Sequence, residues 1–241
     1  MGAPVGLLDV RTLMVHLSYI TCSSWSYPFF LDVQALLICG GVYNFQNGSR
    51  PKASNKCYLL DRYSSRLFAT MSEERAFAAS LTYENSLWIT GGLDYGQDYD
   101  NFRPFSSTEY IMKNGESVKG PELPLGLAAH TIIGINSTFS MLIGGETFDI
   151  DGGTSVNLTY YFDHYNQIMF EGPRLNIARS YHGAGIVTDL TTGERLTIVT
   201  GGERFYYELR QTDFFDSTEI LIDGKWILGK KKAGTFTLSA C

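Results

Sequence analysis

Leu87-Trp88-Ile89-Thr90-Gly91-Gly92 is a short apolar run that stops at a glycine pair, and the same device occurs three more times. The others are Ala35-Leu36-Leu37-Ile38-Cys39-Gly40-Gly41, Met141-Leu142-Ile143-Gly144-Gly145 and Leu196-Thr197-Ile198-Val199-Thr200-Gly201-Gly202. Their first glycines are 51, 53 and 57 residues apart. A near-continuous apolar run of this length suits a strand covered on both faces. Glycines at its end suit a place where the backbone turns sharply or another element comes close.

The flanks repeat in phase with the runs. A further strand is expected before each of the last three glycine pairs, over Phe77 to Tyr83, His130 to Ile135 and His182 to Val187. A third strand is expected after each pair, over Lys56 to Leu60, Ser107 to Met112, Leu158 to Phe162 and Ser217 to Ile222. Two of these open on one tripeptide, Ser107-Thr108-Glu109 and Ser217-Thr218-Glu219. Asn114-Gly115 and Asp223-Gly224 then signal tight turns into a fourth strand. Four short strands per unit of about 50 residues describe one blade of a propeller. Such a sheet cannot bury both faces alone and must stack on its neighbours.

The glycine pairs, the late aromatic Trp226 and the Arg179-x-x-His182 approach resemble the kelch family, over residues 35–229. The resemblance implies an all-β, kelch-type β-propeller with about four recognisable blades. It also implies either a small four-bladed ring or, as favoured here, part of a larger, incomplete one. Phe68 and Phe170 stand in for the blade tryptophan in two units, and the second offers only Val118. Arg75 and Arg179 match the family's arginine, whereas Leu127 takes its place between them. Residues 1–34 are read as a segment that adds a strand, with Trp25 to Phe30 favoured, and residues 230–241 as a disordered tail.

Composition narrows the functional classes. A net charge of −6 argues against a general nucleic-acid binder, which needs a basic face. No stretch is long and apolar enough to predict a membrane span. Thr12 to Cys22 loosely resembles a signal-peptide core, but Asp9, Arg11 and His16 dilute it, and the reading is not favoured.

His130 and His182 occupy equivalent places, which argues for a structural role rather than metal binding. A galactose-oxidase type of propeller is the enzymatic rival, with Tyr160, Tyr161 and His164 as its densest cluster. Strand alternation puts the two tyrosines on opposite faces, so no copper site is expected and no cofactor is assigned. Asp149 to Gly153 is acidic but lacks the spaced ligands of a calcium loop, and is expected to be a turn. Cys39 and Cys57 would face each other across antiparallel strands, as free buried thiols or as a disulfide. Asn47, Asn136 and Asn157 begin glycosylation sequons, which with the cysteines tip the reading towards a secreted or lumenal protein.

Segments 42–55, 93–106, 146–157 and 203–216 are expected to be loops on one rim. Two carry recognition-type side chains: Tyr95, Tyr99, Phe102 and Arg103, then Arg204, Phe205, Tyr206, Tyr207 and Arg210. The function expected is a non-catalytic protein-interaction scaffold with an unknown protein partner. The alternative is a ligand- or carbohydrate-binding propeller, or a galactose-oxidase-like enzyme.

Overall fold

The computed structural model describes residues 21–26, 34–43, 52–60, 64–94, 103–149, 152–188, 192–206 and 209–229. Among these there is no helix, and none therefore long and apolar enough to cross a membrane. The first sheet contains β1 (Thr21–Ser26), β2 (Gln34–Cys39), β3 (Val42–Tyr43), β4 (Lys52–Leu60) and β5 (Ser65–Arg75). β1 places Trp25 and Ser26 in a strand; 27–30, the rest of that expected segment, lie outside the described residues.

Three four-stranded antiparallel sheets follow. The second is β6 (Ala79–Tyr83), β7 (Ser86–Thr90), β8 (Thr108–Met112) and β9 (Ser117–Lys119). The third starts with β10 (Thr131–Gly134) and β11 (Phe139–Ile143), and after the hairpin β12 (Glu146–Asp149) and β13 (Gly152–Ser155) it resumes with β14 (Thr159–Asp163) and β15 (Ile168–Glu171). The fourth starts with β16 (Gly183–Thr188) and β17 (Arg195–Thr200); a second hairpin, β18 (Glu203–Tyr206) and β19 (Gln211–Phe214), precedes β20 (Thr218–Ile222) and β21 (Lys225–Leu228). All five residues of β7 are buried, as two-sided cover requires. Val118 and Phe170 hold the same register place, opposite Tyr110 and Tyr161, and are exposed, whereas Trp226 pairs one rung along with Leu221 and is buried, so neither stands where the tryptophan does. Phe68 instead sits at a bulge between the rungs Cys57–Ala69 and Tyr58–Leu67.

The glycine pairs are where successive sheets touch. The N–H groups of Gly41, Gly92 and Gly145 donate to the carbonyls of Arg75, Leu127 and Arg179, each at the entry to the next sheet. Any Cβ on Gly40, Gly91 or Gly144 would lie 2.1–2.5 Å from the same three carbonyl oxygens, so no side chain fits. Two residues beyond each carbonyl, Phe77, Ala129 and Tyr181 adopt left-handed φ of 57°, 51° and 51°. Their backbones form an inter-sheet ladder, Tyr181 N–H donating to Ala129 O and Ala129 N–H to Phe77 O. A strained conformation repeated at three junctions is held by this ladder.

Buried arginines lock two of the sheets. Arg75 donates to the Gly91 and Ser107 carbonyls and to Glu109, and Arg179 makes the matching bonds to Gly201, Ser217 and Glu219. Phe105 and Phe215 cover the two guanidinium groups at 5.1 and 5.3 Å. The paired Ser-Thr-Glu tripeptides therefore exist to receive the arginines. Burial pulls Glu109 upward, but Ser117, the Ser72 N–H and Arg75 outweigh it and hold the carboxyl below its usual range. In the third sheet Leu127, Leu158 and Tyr160 stand where Arg, Ser and Glu stand in the others, and pack in one apolar cluster with Val156.

Candidate functional site

The segments 146–157 and 203–216, expected to be loops, are largely hairpins, which corrects that expectation. β12–β13 and β18–β19 join into a fourth four-stranded sheet, ordered β12-β13-β18-β19, that bridges the third and fourth sheets. The two hairpins meet at one registered pair, Thr154 opposite Tyr206. Asp149 and Gly152 pair as the last described rung of the first hairpin, and 150–151, the middle of the stretch expected to be a turn, lie outside the described residues.

A buried polar chain anchors the bridge. Ser180 donates to Glu146 at 2.9 Å, Ser155 and Ser180 hydroxyls lie 3.2 Å apart, and Phe205 N–H donates to Ser155. Burial raises the Glu146 carboxyl, with Ser180 opposing and Glu203 adding to the rise, and burial raises Glu203 as well. The positions before these glutamates' strands are glycine pairs, and in the first two sheets Val42 and Leu93 stand where the glutamates do. Polar residues thus enter this layer only where the bridge is built.

The bridge displays much of the expected second cluster. Arg204 lies on β18 with its guanidinium 4.7 Å above the Tyr206 ring. Phe205 is half-buried beside Ser155, and Arg210 is exposed in the β18–β19 turn at a φ of 49°. Leu209, not singled out from the sequence, and Phe214, one of the aromatics of the 203–216 segment, are the most exposed apolar residues there, at 68% and 79%. Arg103 is exposed in the second sheet's segment, which the structure does not bring into the bridging sheet. Tyr95, Tyr99, Phe102, Tyr207 and Asn47 lie outside the described residues.

Cys39 and Cys57 are directly opposite rungs of β2 and β4, and are joined as a disulfide. Asn136 is exposed in the β10–β11 turn, its Oδ1 accepting the Thr138 and Phe139 N–H groups. Asn157 instead donates its amide to Leu175 O, and Thr159 of the same sequon is buried with its hydroxyl on Pro173 O. Tyr160 packs in the core between the second and third sheets while Tyr161 stacks on Phe170, so the two diverge. His164 stacks on Tyr83 at 3.8 Å and pairs with Ser140, and burial drives it down to about 4. His130 pairs with Thr90 at 2.8 Å, and burial drives it to about 4 and His182 to about 3. No group of three or more His, Cys, Asp or Glu among the described residues is arranged to hold a metal. No family model matches this sequence, and no curated protein matches it.

Proposed function

We propose that the four successive sheets are kelch-type blades of a β-propeller arc, and that the chain is a protein-interaction scaffold whose contact surface is the bridging sheet. What supports the blade reading is the identity of the parts at each junction: a glycine pair, an Arg or Leu carbonyl and a left-handed residue. The observation that carries the functional reading is the bridging sheet itself. It exposes two apolar side chains, Leu209 in the β18–β19 turn and Phe214 on β19, and carries Arg204 over Tyr206 on the face away from Phe214, on a scaffold held by buried ion pairs. Exposed apolar anchors and arginine–aromatic pairs are what protein contacts use. The reading assigns no catalysis and no cofactor. The Cys39–Cys57 disulfide and the exposed Asn136 sequon support a secreted or lumenal setting.

Photo-crosslinking tests the surface. A crosslinker at Phe214 should capture a discrete partner in the source extract, and one at Ile168, in the β14–β15 hairpin, should not. Equal labelling from both positions, or none from Phe214, would overturn the assignment.

A further inference from the structure

A cleft of about 370 Å³ opens where the third sheet meets the bridging sheet, lined by Ser155, Asn157, Leu158, Arg174, Asn176 and Arg204. Arg204 is the member without an evident purpose in the fold. Among the described residues its side chain makes no hydrogen bond or ion pair, its Nε is buried and unpartnered, and Asp213 opposite it on β19 forms no ion pair with it. Arg179, by comparison, satisfies its charge on Glu219 at 2.9 Å. A guanidinium held by an aromatic face in a half-enclosed cleft, without a carboxylate, presents its planar donors to a ligand.

The other walls describe the rest of that ligand. Asn157 and Asn176 both donate their amide nitrogens into the protein, to Leu175 O and to Glu219 and Trp226 O. That leaves each Oδ1 as an acceptor without a partner among the described residues. Arg174 adds a second positive charge, only loosely tied to Glu171 at 3.8 Å. A set of cationic donors for an oxyanion, with neutral acceptors beside them, suits a molecule that combines an anion with hydroxyl donors. The volume is at the small end of ligand sites, enough for a single ring.

We propose that this cleft binds a small carboxylate bearing hydroxyl groups, a sugar acid by chemical class, with Arg204 gripping the carboxylate and Asn157 and Asn176 accepting from the hydroxyls. The proposal rests on the interaction-surface reading insofar as Arg204 belongs to both, and it specifies what that surface grips.

Saturation-transfer NMR on the intact chain tests it, with D-glucuronate as the probe and D-glucose as the neutral match. Glucuronate is expected to bind saturably and at least about tenfold more tightly than glucose, because the charge-assisted contact is missing from glucose. Arg204→Gln should reduce glucuronate to the level of glucose at an unchanged melting temperature. Arg174→Gln should weaken it by no more than about threefold, since Glu171 already occupies part of that charge. Equal binding of the two sugars, or undiminished glucuronate binding in Arg204→Gln, overturns the proposal. Crosslinking from Phe214 without glucuronate binding would sink this inference alone. Glucuronate binding without crosslinking would sink the scaffold reading and leave the cleft standing.

Discussion

His130 and His182 show what one neighbouring residue decides. Each is buried three residues after the junction carbonyl, but His130 has the Thr90 hydroxyl on its Nε2, whereas the place equivalent to Thr90 facing His182 is Ile143. Both ring nitrogens of His182 are buried without a hydrogen bond. A Thr in a core usually loses to Val because its hydroxyl lacks a partner. Here the hydroxyl would have one, so Ile143→Thr should be no less stable than Ile143→Val in urea melts, and a deficit of more than about 1 kcal/mol would refute the pairing. The same burial sets a pH dependence. With folded values of about 4, 4 and 3 for His130, His164 and His182 against 6.5 unfolded, the unfolded chain takes up protons first as pH falls. Their contribution is full above 6.5 and is lost as pH falls from there towards 4. Glu146 and Glu203, raised in the fold, act in the opposite sense from 4.5 upward, but they are two against three histidines. Urea midpoints should therefore fall between pH 7 and pH 5; a midpoint that is flat or higher at pH 5 contradicts this balance.

At the scale of elements, the third sheet replaces a polar lock by an apolar one as a set. Arg75, Phe105, Ser107 and Glu109 correspond to Leu127, Val156, Leu158 and Tyr160. Removing one partner of a buried ion pair leaves the other uncompensated, whereas exchanging the whole set for packed apolar residues is close to neutral. Arg75→Leu alone should cost about 3–5 kcal/mol. Adding Phe105→Val, Ser107→Leu and Glu109→Tyr should recover most of that, as read from urea denaturation. A mild single variant, or a quadruple variant as unstable as the single, would show that the two sets are not interchangeable. The lock also explains what was legible in the sequence. Strands built on two-sided burial, such as β7 and β11, follow from their apolar runs, and the repeated Ser-Thr-Glu marked the lock before its geometry was known. The bridging sheet was not legible, because β12, β13, β18 and β19 mix Gly, Thr, Asp and Tyr without alternation. Their union depends on a pairing between Thr154 and Tyr206, 52 residues apart, that no local pattern encodes. The cleft was hidden for the same reason: Arg204 was conspicuous, but Arg174, Asn157 and Asn176 reach it only through that union.

Across the whole molecule, stability should be graded rather than uniform. The inner strands β1, β6, β10 and β16 follow one another as neighbours, so the second and third sheets are each covered on both sides. The fourth sheet is covered by the third, through Met141, Ile143, Val199 and Trp226. On its other side a Cβ on Gly201 would meet nothing closer than 3.7 Å among the described residues, and there the Gly202 N–H lacks the carbonyl that Gly41, Gly92 and Gly145 each find. Val187, Ile227 and Leu228 of this sheet are left exposed. In a stack where each unit contacts only its neighbours, stability is a sum of unit and interface terms, and a sheet with one interface opens at lower free energy than one with two. Amide hydrogen exchange should then show the slowest exchange in β7, β8, β11 and β14, and exchange at least about tenfold faster in β16 and β20, a difference of about 1.4 kcal/mol. The bridging sheet should pull β17 towards the slow group at its Thr200 end, since β18 starts three residues further on and ties back to Ser180. Uniform protection across all four sheets would mean that the fourth has a second interface in solution, and that the free Gly202 N–H has found its acceptor there.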